Sequence, residues 1–335
     1  MFIAEDLNQF KKLFVSKLKN MLSDDELGAF ILVLANSQQD VFLRQELAGD
    51  LQKTFSRLKD NFSAGKLNAT QDDKDVFQQL FNVAIEDISI WQYKTAGDWE
   101  IAYNSLRKFR PARASTQVLS SIRKDFDETK FHFNKPFLKP EILWQGDYQN
   151  NHIRVLYNKF PFSDYHLLIV LAPEKNLAQV LTRNLHQAVF TMVNDVEKIF
   201  PGFGIGFNSL AAGASVNHLH FQGFVRERVF PVENDHWKHN GGQDDYPLQV
   251  DWFADDKSSW EYIDQLIQQN RAFNCLYRNN RCYVIPRKFQ GMVALPDWLT
   301  GAGWSDVAGV ITVSDVETFN KLDESPVSRA LSLLR

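Results

Sequence analysis

The chain has 335 residues, 44% hydrophobic, 13% aromatic and 23% charged, with 37 basic against 41 acidic side chains for a net charge of −4. This is ordinary globular composition with room for about two domains, and with no block of like charge there is no footprint for nucleic acid or an anionic membrane. Cys275 and Cys282 are too few for a disulfide framework or a cysteine-based zinc site, and suit a reducing compartment. The first residues, Met1-Phe2-Ile3-Ala4-Glu5-Asp6, lack the basic region and apolar run of a signal peptide. Apolar stretches such as Phe30–Ala35 are too short to cross a bilayer. A cytoplasmic protein with no membrane partner is the expectation.

The first hundred residues read as helical. Leu7, Phe10, Phe14, Leu18 and Met21 keep the 3–4 spacing of one helix face. Ser23 with Glu26 reads as a capping box before Leu27–Ala35, and Leu47, Leu51, Phe55 and Leu58 form another stripe. Thr70 with Asp73 opens a further helix whose apolar pairs run on to Ile88. After about Arg110 short β-rich runs appear: Ile142–Trp144, Ile153–Tyr157, Leu167–Leu171, Phe203–Asn208 and Leu219–Val225. Between the third and fourth lies one long helical pattern from Leu177 to Ile199, ended by Pro201-Gly202. Residues Phe273–Pro286 read as two strands around an Asn279-Asn280 turn. The expected architecture is α+β, with a helical region over 1–105 and a second domain over 106–335.

Chemistry concentrates between Asn208 and Phe224. If residues 218–225 form a strand, its period of two puts His218, His220 and Gln222 on one face. Three such side chains in a row are costly to bury without partners or a ligand. At this composition His-x-His-x-Gln is expected about 0.01 times by chance. Upstream, the small-residue loop Ala211–Ser215 allows backbone to approach an anion. His236 and His239 lie in a Gly/Asp-rich loop with no acid or cysteine at a familiar metal spacing, so no metal site is expected. Gly202-Phe-Gly204-Ile-Gly206 lacks the third glycine of a dinucleotide loop, and no phosphate-binding Walker sequence or nucleophile elbow occurs.

The histidine segment resembles the galactose-1-phosphate uridylyltransferase branch of the histidine-triad (HIT) superfamily, whose members carry His-x-His-x-Gln where the hydrolase branch has a third histidine. Gly206-Phe-Asn-Ser-Leu followed by Val216-Asn-His-Leu-His-Phe-Gln is similar to the GDP-hexose phosphorylases, which act on GDP-L-galactose or GDP-D-glucose. Lys130-Phe-His-Phe-Asn-Lys135 resembles their Lys-Phe-x-Phe-x-Lys segment. Asn158-Lys-Phe-Pro161 through His166-Leu-Leu-Ile-Val resembles a superfamily strand, with Tyr165 where glycine is usual. Pro296–Gly309 resembles a segment of Trp, acidic residues and Gly. The likeness covers roughly 105–335 and leaves the N-terminal helices outside.

The resemblance implies an antiparallel sheet with packed helices of the HIT type. It also implies a phosphorylase that transfers a nucleotide from a nucleoside diphosphate hexose, through a nucleotidyl-histidine on His220, to inorganic phosphate. His218 would orient the site or bond a phosphate oxygen. Gln222 can donate to the phosphoryl group but cannot shuttle a proton, which suits a sugar phosphate leaving as an anion. Asn208, Ser209, Gly213 and Ser215 are candidates for holding the phosphates, Lys130, Lys135 and Arg113 for neutralising them, and Asn158 and His166 for lining the nucleotide pocket. Phe131, Phe133, Phe137 and Phe160 either stack on the base or pack in a core. No cofactor is expected, zinc included, although some relatives carry it. The partners are a nucleotide sugar and phosphate, and a homodimer is left open. The alternatives are a dinucleoside polyphosphate (Ap4A-type) phosphorylase and a non-catalytic nucleotide-binding regulator.

Overall fold

A computed structural model of the chain describes residues 2–23, 26–81, 83–109, 119–299 and 301–335. Helix formation begins where the apolar stripes predict it. Helix α1 (Leu7–Asn20) is capped by Asp6, whose side chain accepts from the Gln9 N–H, and it buries Phe10, Phe14, Val15 and Leu18. Helices α2 (Leu27–Ser37), α3 (Val41–Ser63, capped by Asp40) and α4 (Gln71–Leu80, capped by Thr70) complete the helical layer. The expected capping box does not form at α2. Glu26 is the N-cap residue and makes no side-chain cap bond, while the Ser23 hydroxyl donates to the Asn20 carbonyl and closes the preceding turn.

The helical reading fails at its C-terminal end. The α4 pattern stops at Leu80, and residues inside the first hundred and five form a hairpin of β1 (Gln92–Ala96) and β2 (Trp99–Tyr103). Strand β2 pairs in parallel with a strand from the far end of the chain, Val310–Val313. Two short strands of a hairpin are marginal alone, and their partner lies some two hundred residues away, beyond the reach of local pattern.

The main sheet has eight strands. In chain order they are β3 (Ile142–Tyr148), β4 (Asn151–Tyr157), β5 (Leu167–Leu171), β6 (Phe203–Asn208), β7 (Phe221–Val225), β8 (Asp251–Phe253), β9 (Ala272–Arg278) and β10 (Arg281–Arg287). They are arranged 3-4-5-7-6-9-10-8, with every pairing antiparallel. The β9–β10 turn falls on Asn279 and Asn280, both at positive φ (53° and 57°), the conformation a tight hairpin turn requires. Helix α5 (Arg183–Glu197) connects β5 to β6, and α6 (Asp256–Gln268) connects β8 to β9. Helix α7 (Trp304–Val307), strand β11 (Val310–Val313), α8 (Val316–Lys321) and α9 (Glu324–Leu333) close the chain.

Alternation along the strands divides the core in two. One face presents Phe203, Ile205, Phe207, Phe221, Cys275, Tyr277, Ile153, Val155 and Ile169 to α1–α3, α5 and α6. The opposite face carries two separate covers. Trp304, β2, β11 and α9 lie over Phe224, Leu276, Tyr283 and Ile285. The stretch with Phe133 and Leu138 lies over Leu156, Val170 and Leu168. The two covers adjoin near the start of β7, where the chain is buried.

Tyr165 enters β5 at φ 49°, a left-handed conformation that costs a side-chain residue about 1–2 kcal/mol. The helical layer holds it there. Its N–H donates to Gln39 Oε1 at 2.5 Å, its hydroxyl bonds Asp40 Oδ2 at 3.1 Å, and its ring meets Phe10 and Phe14 at 5.7 and 5.2 Å.

Candidate active site

The strand carrying Gln222 starts at Phe221, later than the predicted 218. Residues 218–220 run beside the loop at 177–179 instead. The Leu219 N–H donates to the Leu177 carbonyl at 2.7 Å, and the Gln179 side chain brackets His220 by accepting its N–H (2.9 Å) and donating to its carbonyl (3.1 Å). The same Gln179 amide donates to the Asn208 carbonyl at 2.9 Å, tying the end of β6 to the histidine segment. Gln179 is 1% exposed, so both ends of its amide are used in the interior.

The imidazoles are locked in opposite tautomers. His220 Nδ1 lies 2.8 Å from the His218 carbonyl. A carbonyl only accepts, so Nδ1 carries the proton and Nε2 keeps its lone pair. His218 Nδ1 accepts the Phe133 N–H at 3.1 Å, which places the His218 proton on Nε2. Burial pushes both rings down from 6.5 to about 4, His220 by desolvation alone and His218 with help from His220, His132 and Arg154. At neutral pH the pair therefore offers one bare nitrogen and one N–H donor.

Phe133 joins the two rings. It stacks on His218 (5.8 Å between centroids, 26°) and meets His220 at 4.9 Å. Phe126 and His132 complete the wall around His218 at 5.4 and 5.9 Å. Arg154 on β4 holds this wall to the sheet by donating to the Phe133 carbonyl (3.0 Å) and Asn134 Oδ1 (2.7 Å).

Gln222 faces the other cover. The Trp304 indole N–H donates to Gln222 Oε1 at 2.7 Å. An indole N–H only donates, so this contact fixes the amide orientation and turns its NH2 into the donor. Gly206, opposite Gln222 in the β6–β7 ladder, makes room for the indole: a Cβ there would lie 2.2 Å from Trp304 Cδ2. The Gly202–Gly206 run is thus a turn at Gly202 followed by strand backbone, with Gly206 making room for an aromatic ring. Asn208 Oδ1 accepts the Trp304 N–H (2.7 Å) and the Asn274 amide (2.6 Å). Gly213, at φ 98°, approaches the backbone of 301–303 so closely that a Cβ would stand 3.0 Å from Gly303 Cα. The Arg287 guanidinium, buried behind this loop, donates to the Ala302 carbonyl.

The other predicted residues divide. His166 is fully buried, accepts the Phe162 N–H on Nδ1 (3.2 Å), and lies with Asn158 beside Phe162, which reaches Trp304 at 5.9 Å. Ser209 uses its hydroxyl to accept the Phe273 N–H at 3.0 Å and so splices β6 to β9. Ser215 is exposed on the loop that leads to the histidines. Neither lysine is directed at the histidines by its contacts: Lys130 lies 3.9 Å from Asp127 at the surface, and Lys135 donates to the Glu128 carbonyl. Arg113 lies outside the described residues. Sequence reasoning missed Gln179, Arg154 and the Trp304–Gln222 pairing. Only Trp304 had a signal, in the Trp- and Gly-bearing segment near the C-terminus. Among the described residues no group of three or more His, Cys, Asp and Glu side chains could hold a metal ion, and no helix is long and apolar enough to cross a membrane.

Comparison with known proteins places this arrangement. Residues 96–224 match the family model "GDPGP1-like, N-terminal domain". The histidine-bearing segment is GDP-hexose phosphorylase-like. GDP-D-glucose phosphorylase 1 of Danio rerio is 39% identical over 124 residues, 36% of this chain and 35% of that protein; its Homo sapiens counterpart is 35% identical over 130 residues, 36% and 33%. GDP-L-galactose phosphorylase 1 of Arabidopsis thaliana is 29% identical over 132 residues, 34% and 29%. The chain thus spans about a third of the length of the curated relatives it matches. The crystal structure of yeast Ap4A phosphorylase Apa2 aligns with a TM-score of 0.52 at 14% identity, covering 79% of this chain and 93% of that one. At that identity it shows a shared fold, an antiparallel sheet with packed helices. The family match runs from the end of β1 to Phe224 on β7 and so takes in His218, His220, Gln222, Gln179 and Phe133, while Trp304 lies beyond it.

Proposed function

We propose that this protein is a GDP-hexose phosphorylase that works through a guanylyl-histidine on His220. The observation that carries the reading is the tautomer of His220: its proton is engaged by the His218 carbonyl, leaving a bare Nε2 in a segment whose His218 Nε2–H and Gln222 NH2 remain as donors. The substrate class rests on the GDP-D-glucose and GDP-L-galactose phosphorylases that the segment resembles.

In the first half-reaction His220 Nε2 attacks the α-phosphorus, an N–P bond forms, and the bond from that phosphorus to the bridging oxygen breaks. Hexose-1-phosphate leaves with the electron pair as an anion, so no proton need be delivered. The His218 Nε2–H and the Gln222 NH2 stabilise charge on the transferring phosphoryl oxygens. In the second half-reaction an oxygen of inorganic phosphate attacks the same phosphorus, the N–P bond breaks, and GDP is released with His220 neutral again. Gln222 has no lone-pair base with which to activate water, which favours phosphate over hydrolysis. The Ala211–Ser215 loop and Asn208 shape the phosphate side, and Asn158 with His166 the flank beside Phe162. Two buried free cysteines, Cys275 and Cys282, fit a cytoplasmic setting.

Intact-protein mass spectrometry after mixing with GDP-glucose in the absence of phosphate tests the reading. A GMP adduct that phosphate discharges as GDP, and that His220→Ala lacks, is the expected result. No adduct with GDP-, UDP- or ADP-sugars sinks it, and an adduct with diadenosine tetraphosphate alone transfers it to the Ap4A-type activity.

A further inference from the structure

Phenylalanine is abundant here, 27 residues, and most of the described ones are buried. Only three described phenylalanines are strongly exposed, Phe42 at 42%, Phe131 at 38% and Phe137 at 64%. Two of these three, Phe131 and Phe137, touch each other, with centroids 6.3 Å apart at 46°. Phe131 also meets Phe133 edge-to-face at 5.8 Å, and Phe133 is the ring that packs on both imidazoles. One aromatic ring therefore separates the reacting nitrogen from a pair of flat apolar surfaces left open to solvent. Exposing two adjacent phenylalanines forfeits part of the stabilisation that their burial would bring. Phe133 and Leu138, on the same stretch, do bury theirs against Leu156 and Val170.

We infer that Phe131 and Phe137 form the nucleobase subsite and hold the guanine ring of the substrate by stacking. This rests on the proposed GDP-hexose reading, because it needs a nucleotide whose α-phosphate lies at His220. In such a nucleotide a ribose separates the α-phosphate from the base. In the protein one ring, Phe133, lies between His220 (4.9 Å) and Phe131 (5.8 Å), so the exposed pair sits about one sugar's breadth beyond the imidazole. Of the four phenylalanines that the sequence offers for stacking, Phe133 is taken by the imidazoles. Phe160 is half-buried and already packs against the core on the helix side. Phe131 and Phe137 remain, and a purine covers more of their surface than a pyrimidine does.

GDP affinity measured by calorimetry, on the full chain, tests this without needing turnover. Phe131→Ala and Phe137→Ala should each raise the GDP Kd roughly ten-fold. Phe137→Trp should keep the affinity, and saturating GDP should quench its fluorescence beyond the change seen in the parent protein. Alanine variants that bind GDP within two-fold of the parent overturn the subsite, as does a Phe137→Trp variant that binds GDP without the added quenching. Should the parent form the GMP adduct while the alanine variants bind normally, the base subsite alone is wrong. Should the phenylalanines govern GDP binding with no adduct formed, the phosphorylase reading is wrong and the base subsite stands.

Discussion

The two faces of the same sheet are built on opposite principles. Toward the helical layer β7 presents Phe221 to a continuous apolar core, in which Phe10, fully buried, stacks on Phe200 at 5.3 Å. Toward the other side the same strand presents Gln222, following two imidazoles whose tautomers are each fixed by one backbone contact. The first face gains chiefly from buried area and is sensitive to changes of volume. The second also buries apolar covers, but at the start of β7 its value lies in which atom carries a proton. The two faces meet at Tyr165, where Gln39 and Asp40 from the helices hold a left-handed residue next to His166. The N-terminal helices thus take part in positioning the site although no chemistry is assigned to them.

Substitutions on each side should separate stability from chemistry. His220→Ala removes the attacking nitrogen, so the GMP adduct should vanish while the urea midpoint moves far less than for a core deletion; retained adduct would shift the chemistry elsewhere. Phe10→Ala should do the reverse. It should lower unfolding free energy by about 3–5 kcal/mol, measured by urea denaturation, with adduct yield per folded molecule preserved. The acid limb of single-turnover adduct formation is a third discriminator. Since burial pushes His220 from 6.5 to about 4, the reactive neutral ring persists as pH falls through 6.5. The rate should hold down to about pH 5 and fall only toward 4, whereas a limb near 6.5 would mean a solvated ring.

Smaller effects probe the contacts that link the covers. Trp304→Phe keeps an aromatic ring against Phe224 (5.0 Å, 14°) but deletes the bond that orients Gln222. It should slow phosphorolysis roughly ten-fold, the kinetic equivalent of a hydrogen bond worth about 1–1.5 kcal/mol, with little change in unfolding. Gln222→His should raise hydrolysis relative to phosphorolysis, and an unchanged product ratio would remove the role given to the amide. Gln39→Ala, which frees the Tyr165 N–H, should cost about 1 kcal/mol and leave adduct formation nearly intact.

What can be read in the chain depends on how local its cause is. The β9–β10 hairpin is written in Asn279-Asn280, because positive φ at two successive residues selects those side chains. His-x-His-x-Gln stands out because so few histidines are present. The strand there nevertheless begins three residues late, since Gln179 takes over the backbone groups of His220. Gln179 itself, Arg154 and the Trp304–Gln222 bond are illegible because each depends on a partner far away in the chain. The β1–β2 hairpin passes for helical territory for the same reason, its parallel partner lying at 310–313. Tyr165 stands out as a departure from a usual glycine, yet only the fold shows what supports it.

The proposed chemistry requires that His220 Nε2, and no other nitrogen, be the nucleophile. Isolating the GMP adduct formed with GDP-glucose and assigning its N–P bond, by tandem mass spectrometry for the residue and by 15N–31P coupling for the atom, tests it directly. A bond to Nε2 of His220 is the expected result. A bond to Nδ1, a bond to His218, or a protein that never becomes guanylylated would contradict it.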